Sequence, residues 1–457
     1  MKTKYLFHCL MFILFPCSLL FGQGGVSSSS MGVARSGAGY LNEFGNYVMP
    51  TADYFRVEEF INYHRHDLPL PQGQNRVRLD VQAMKLDSGK SVLQVGLTTP
   101  RALESDQIPP LNVVLIIDES GSMGGVKIKN LKRSLRGFVE RFRKNDRVTI
   151  VGFENRARVI LPATEKTKVH KILAAIEDVK AAGGTNLHAG LMLGYKKALE
   201  CFDPERTNRV IFLTDGNANV GVTQSQEIAA HSLKCIQKGI SLVTIGLGVD
   251  FNHGLLREIA DAGRGVMHFI SDAKDIEKTF VKEVDSLLAP AARNVQLTIN
   301  VEGKMKVYGY KSHREQTNSN KLVLKLDDLN HGATQVVIGK MESNDLDGVI
   351  KLQYIDAING QKIKQKVELS DVQFTSSESI RRNYSIAIVA NSLNAAARLS
   401  NNQKQEKAAR KLKSAVEKAN ELFGGKDKHL KRVAKIARNY ATKLLPERKI
   451  VRNEPKQ

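Results

Sequence analysis

The sequence predicts an α/β chain. A doubly wound, mostly parallel sheet is inserted into a β-sandwich, and a helical C-terminal region follows. Three observations predict this. Between residues 111 and 288, short continuous runs of Val, Ile and Leu alternate with helical segments, the pattern of strands buried on both faces between helices. On either side, 40–110 and 289–375 carry apolar residues at every second position, as half-covered sheets do. From 376 onward, apolar residues recur at helical spacing.

Taken in order, 1–22 reads as a secretory signal. Lys2 and Lys4 give a positive start, Tyr5 to Leu14 is apolar, Pro16 breaks the run, and Gly22 offers a small residue before a cleavage point at Gln23. The apolar run is too short for a comfortable membrane span, and no later run is long enough. Export to periplasm, cell surface or medium is expected. Lipidation at Cys17 is the alternative, disfavoured because Phe15 and Pro16 replace the small residues such a site has. Residues 23–39 are Gly/Ser-rich and form a flexible leader.

In 40–110, Val57, Phe60 and Ile61 predict a helix over Asp53 to His64, stopped by Leu68-Pro69-Leu70-Pro71. Val77, Leu79 and Val81, then Ser91 to Thr99, predict two strands of a half-exposed sheet. In 111–288, strands are expected at Val113–Ile117, Arg147–Phe153, Arg158–Leu161, Val210–Leu213, Leu242–Leu247 and Met267–Ile270. Helices are expected near 127–143, 168–181, 188–201, 224–238, 253–262 and 273–288, and only Arg158–Leu161 should be an antiparallel edge. In 289–375, Val295, Leu297, Ile299 and Val301 alternate, as do Leu322, Leu324 and Leu326, and Asn359-Gly360 marks a hairpin. Because neither flank holds a full sandwich, both should build one together. In 376–457, three helices are expected: Ser379 to Leu399, one marked by Leu412 to Phe423, and one marked by Leu430 to Leu444.

The 457 residues carry a net charge of +21, and 401–457 alone hold 17 Lys and Arg against 6 Asp and Glu. Such a surplus could attract acidic polysaccharide or lipopolysaccharide. No aromatic stacking residues or nucleic-acid fold signature accompany it, so no specific nucleic acid is expected. Beyond the signal, two cysteines remain, Cys201 and Cys235; a disulfide and two buried thiols are both open. No HExxH, GxSxG, Cys/His pair or cluster of carboxylates is present, and an enzyme is not expected.

The chemistry concentrates elsewhere. Asp118-Glu119-Ser120-Gly121-Ser122 follows the apolar run Val113 to Ile117, so a buried strand ends by aiming three oxygen side chains at one spot. Gly183-Gly184-Thr185-Asn186 and Leu213-Thr214-Asp215-Gly216 each add one more oxygen, from Thr185 and Asp215. Carboxylates and hydroxyls without nitrogen or sulfur suit a hard divalent cation, Mg²⁺ first, with Mn²⁺ and Ca²⁺ as alternatives. His188, three residues after Thr185, is a poor donor for such an ion and is read as helix surface or a support behind the ligands.

These five residues resemble, without substitution, the metal-ion-dependent adhesion site of a von Willebrand factor type A domain. Thr244-Ile245-Gly246 through Leu255, Ile259-Ala260 and Gly263 is similar to that domain's last strand and helix region. Arg56 to Tyr63 with the following Pro-rich stop looks like the leader of secreted bacterial proteins of the YfbK-like type. The resemblance implies that Ser120 and Ser122 bind the ion directly, Thr185 directly or through water, and Asp118 and Asp215 often through water. It also implies an open coordination position for an Asp or Glu carboxylate of a protein partner. Met123, Gly124, Glu154, Asn155, Arg156, Asn217, Ala218 and Asn219 flank the site and are the candidates for partner specificity. In members that switch, the last helix of the domain moves; here that is 272–288, and coupling to the sandwich is an expectation. The function implied is a metal-dependent protein-binding module in adhesion or envelope assembly. The alternatives are a polyanion binder acting through the basic C-terminal helices, the metal then being structural, and a metal-assisted hydrolase, disfavoured by the missing acid/base groups.

Overall fold

The computed structural model describes residues 40–41, 46–87, 89–101, 109–215, 218–224, 227–228, 235, 238–247, 253–262, 267–270, 290–311, 314–318, 321–326 and 328–445. The expected signal, the Gly/Ser leader, most of the helix at 224–238 and all of that at 273–288 lie outside the described residues.

Two short strands, β1 (Tyr40–Leu41) and β2 (Tyr47–Val48), pair antiparallel. A 3₁₀ turn at Ala52–Tyr54 and helix α1 (Val57–Asn62) replace the single helix expected over 53–64. The split lies at Phe55 and Arg56, whose ψ values of 70° and 117° leave the helical region. Strands β3 (Arg78–Lys85) and β4 (Ser91–Thr98) form a hairpin. The inserted domain then runs β5 (Leu111–Asp118), α2 (Val126–Glu140), β6 (Arg147–Phe153), β7 (Ala157–Glu165), α3 (Val169–Glu177), α4 (Leu187–Glu200), β8 (Thr207–Thr214), β9 (Ser241–Leu247), α5 (His253–Ala262) and β10 (Met267–Ile270). Its sheet has the order β10-β9-β8-β5-β6-β7, parallel except for the antiparallel edge β7. From β5 the chain winds outward through β6 to β7, then returns to β8 and winds the other way. The reversal therefore lies between β5 and β8, where open α/β sheets bind ligands beyond their carboxyl ends. All eight residues of β5 and of β8 are buried, as their apolar runs required.

The chain returns through β11 (Pro290–Val301), β12 (Met305–Val307), β13 (Arg314–Asn318), β14 (Lys321–Lys325), β15 (Leu329–Asn330), β16 (Thr334–Met341), β17 (Gly348–Asp356) and β18 (Lys362–Glu368). One sheet is β13-β14-β11-β17-β18, with β15 also on β11; the other is β12-β16-β4-β3. Leu93, Val95, Leu97 and Val337 of the second share a core with Leu297, Ile299, Ile350 and Leu352 of the first. Since β4 precedes the α/β domain and its neighbour β16 follows it, the domain is an insertion in this sandwich.

The half-exposed sheet expected here holds for β3, which is half-buried over Arg78 to Gln82, but not for β4. Every residue of β4 is buried. The odd-numbered Leu93, Val95 and Leu97 face the sandwich, and the opposite face is covered by helix α6 (Glu378–Asn401), which shares a second core with Val92, Val336 and Ile338. Gln94 is buried beneath that helix, and its Oε1 accepts from Asn383 Nδ2 at 2.9 Å. Helices α7 (Gln405–Phe423) and α8 (Lys428–Lys443) complete the covering layer, joined at Gly424, whose φ of +77° is the left-handed turn that ends α7. Among the described residues, no helix is long and apolar enough to cross a membrane. Cys201 and Cys235 are free thiols, and burial pushes the Cys235 thiol up to about 11.

Among the described residues, two ion pairs tie the insert to its flanks: Arg209 of β8, buried, to half-buried Asp328 at 3.3 Å, and Arg257 of α5 to Glu59 of α1, both buried. Beside α1, three imidazoles pack together. His64 stacks on His429 of α8 with ring centroids 3.8 Å apart, and its ring is tilted by 52° against that of His66 at 4.6 Å. Burial, followed by the charges of His66, His429, Arg382 and Lys428, lowers His64 to about 2; burial, followed by the charges of Arg382 and His429, lowers His66 to about 3. A histidine neutral in the fold but free to protonate when unfolded contributes stability above its unfolded pKa near 6.5, lost as pH falls toward the folded value. Stability is therefore expected to drop by about 2 kcal/mol for each of His64 and His66 between pH 6.5 and 5. Urea unfolding across that range should show the slope, and His64→Phe should roughly halve it.

Candidate metal centre

Strand β5 delivers Asp118 to the reversal point of the sheet, and the chain then turns through a 3₁₀ segment at Gly121–Met123 into α2. Asp118 is fully buried. Its Oδ1 accepts from the Ser120 backbone N–H at 2.8 Å, and its Oδ2 accepts from the Thr214 hydroxyl. Burial raises the Asp118 pKa, hydrogen bonds from Ser120 and Thr214 oppose this, and nearby Asp215 adds to the rise. Beside it, the Ser120 and Ser122 hydroxyls lie 3.0 Å apart, and Ser122 donates to Asp215 Oδ1 at 2.8 Å. Asp118, Ser120, Thr185 and Asp215 are buried, whereas Ser122 is exposed and marks the open side.

Thr185 comes from the loop between α3 and α4, which is pinned from several directions. Gly121 N donates to Gly183 O at 3.1 Å and Ala182 N to Glu119 O at 2.6 Å. Gly184 N donates to Asn155 Oδ1 at 3.1 Å, and Thr185 N to Asn219 Oδ1 at 2.8 Å. Asn186 then caps α4 through Ala189 N. That helix lies hard against the sheet: a Cβ at Gly194 would stand 2.1 Å from Ile116, and one at Gly190 would stand 2.6 Å from Phe153. The glycine notch fixes the height of the Thr185 loop over the strands.

The five predicted oxygens thus come from three segments held at one rim. Of the flanking residues, Gly124, Asn155, Arg156 and Asn219 are exposed, Glu154 and Ala218 are half-buried, and Asn217 lies outside the described residues. Met123 is fully buried in the core under α2 and offers no surface to a partner. Asn155 and Asn219 use their side-chain oxygens to hold the Thr185 loop, which leaves them supports as well as surface. His188 is half-buried on the first turn of α4. Three residues escaped the sequence reading. Thr214 bonds Asp118, and its position beside Asp215 was the signal. Glu119 is buried and accepts from Arg158 at 2.8 Å and from Lys180 N at 3.2 Å. Lys127, on the first turn of α2, pairs with Asp215 Oδ2; a lone lysine on a helix gave no sequence signal.

The donor set fits a small hard cation. All the converging donors are oxygens, and a buried pair of carboxylates calls for positive charge. An octahedral ion with bonds of about 2.1 Å separates adjacent ligands by about 3 Å. The pairs Ser120–Ser122 and Ser122–Asp215, at 3.0 and 2.8 Å, already have that spacing. Ser120, Ser122, Thr185, Asp118 and Asp215 would hold the ion, directly or through water.

Residues 112–282 match the family model of the von Willebrand factor type A domain. The chain carries such a domain, inserted in its sandwich. YfbK of Escherichia coli, an uncharacterized protein, is 28% identical over 289 residues, covering 61% of this chain and 50% of that one. Inter-alpha-trypsin inhibitor heavy chain H2 of Sus scrofa is 29% identical over 203 residues, 43% of this chain and 22% of that one. The chain thus spans half or less of the length of these curated relatives. Among solved structures, a von Willebrand factor type A protein from Catenulispora acidiphila superposes with a TM-score of 0.52 at 15% identity, covering 76% of this chain and 89% of that one. The ArnB paralog VWA2 from Sulfolobus acidocaldarius superposes with a TM-score of 0.50 at 20% identity, covering 81% and 98%. These likenesses concern the fold. Such domains commonly mediate protein–protein interactions and typically bind a divalent cation at this site.

Glu119→Ala is expected to strand the Lys180 N–H and loosen the Thr185 loop, costing about 1–3 kcal/mol in urea unfolding. Arg158 is half-exposed, so its loss from the pair should cost far less, and Arg158→Ala is the control.

Proposed function

We propose that this chain is an exported, metal-ion-dependent protein-binding module of the cell envelope that engages an acidic group of a partner. The observation that carries the reading is the ring of oxygens from Ser120, Ser122 and Asp215, set over buried Asp118 and open to solvent at Ser122. When bound, Mg²⁺ supplies a Lewis-acidic position that exchanges water for a carboxylate. The chain's own residues do the rest. The hydroxyls donate little charge, so the ion stays electron-poor. The buried carboxylates hold it at the rim, and Asn155, Asn219 and Glu119 keep the loops from relaxing away. Arg156 and Gly124 stand exposed beside the open side, where a partner would meet them.

A second reading has its own support. Helices α7 and α8 bury Leu412, Val416, Leu430, Val433 and Ala437 and expose a row of cations that includes Lys411, Lys418, Lys431, Lys435 and Arg438. That face could hold an acidic polysaccharide or lipopolysaccharide.

Envelope extract passed over the immobilised protein separates the two. On the first reading a partner is retained in Mg²⁺, is lost in chelator, and is lost with Asp118→Ala. Retention that ignores both and falls steeply with salt would move the function to the basic helices.

A further inference from the structure

Lys127 is the one cation that contacts the ligand set among the described residues, and its place there is built rather than incidental. Helix α2 begins at Val126, directly after the turn at Gly124 and Gly125, so its first turn abuts the oxygens of Ser120 and Ser122. From that turn the Lys127 ammonium reaches Asp215 Oδ2, while Asp215 Oδ1 accepts from Ser122. The Asp215 side chain is wholly buried and that of Lys127 is 36% exposed. A buried carboxylate without a cation is costly, and here the chain provides its own. Of the other buried acids nearby, Asp118 is bonded by the Ser120 N–H and the Thr214 hydroxyl, and Glu119 is paired with Arg158.

We propose that Lys127 sets the charge of the metal centre: its ammonium on Asp215 holds down affinity for the divalent ion and leaves the loaded site with net positive charge for an acidic ligand. The count is short. Asp118 and Asp215 bring two negative charges and a divalent ion cancels them. Lys127 then leaves one positive charge over, where a site lacking it would be neutral. A lysine is suited to this because its ammonium is a compact point charge on a flexible stem, able to share Asp215 with an incoming ion without a fixed fork geometry. The proposal rests on the metal-binding reading above and adds what tunes it.

Titration calorimetry with Mg²⁺ and Mn²⁺ on the full chain tests it, comparing wild type, Lys127→Met, Lys127→Arg and Asp118→Ala. Lys127→Met is expected to tighten the dissociation constant at least tenfold, about 1.4 kcal/mol. Lys127→Arg should stay near wild type because the charge is kept. Tightening is a result that damage to the loop would not give, since damage weakens binding. Unchanged or weakened affinity in Lys127→Met, with wild type binding and Asp118→Ala not, overturns this proposal and leaves the metal reading standing. Wild type and Asp118→Ala both failing to bind would remove the metal reading and this proposal together.

Discussion

Asp118 and Asp215 end adjacent strands of a sheet buried on both faces, and two carboxylates so placed must be compensated. Much of the local structure answers that constraint. Thr214 and the Ser120 N–H bond to Asp118, Ser122 bonds to Asp215, and the Lys127 ammonium takes the remaining oxygen. Each device lowers the cost of the pair without removing the negative charge, and the result is a rim that favours a cation. The Thr185 loop, fastened by Asn155, Asn219 and the Glu119 carbonyl, closes the third side.

The surroundings make this rim part of a larger body. Strand β8 carries Asp215 just beyond one end and Arg209, paired with the sandwich residue Asp328, near the other. Arg257 of α5 reaches Glu59 of the leader helix. The leader in turn lies against α6, where Asn394 donates to the carbonyls of Ala52 and Phe55 at 2.7 and 3.1 Å. A β4 strand covered on one face by the sandwich and on the other by α6 joins the layers into a single packing unit. The inserted domain is thus held to its flanks by charge pairs whose arginines are buried.

Much of this was legible in the sequence because it depended on local pattern. Continuous runs such as Val113–Ile117 marked the central strands, and Asp118, Ser120 and Ser122 followed directly from the end of one of them. The hairpin at Asn359-Gly360 joins β17 to β18 as its turn chemistry required. What was not legible came from distant covering or from single residues. Nothing near β4 announces that a helix some 280 residues later covers it, so this apolar-rich strand was read as half-exposed beside its alternating neighbour. Met123 sits within the motif's own turn, yet its side chain points to the core. Lys127 reads as any solvated helix lysine until the fold brings Asp215 beside it.

The function proposed for this chain requires that these five oxygens hold a divalent cation. Anomalous diffraction from crystals of the full chain soaked in Mn²⁺ tests it most directly, because Mn²⁺ takes oxygen ligands and scatters anomalously. A peak is expected bounded by the Ser120 and Ser122 hydroxyls, next to Asp118, Asp215 and Thr185. An empty rim with Lys127 still on Asp215 at saturating Mn²⁺, or a peak only elsewhere in the molecule, would contradict it.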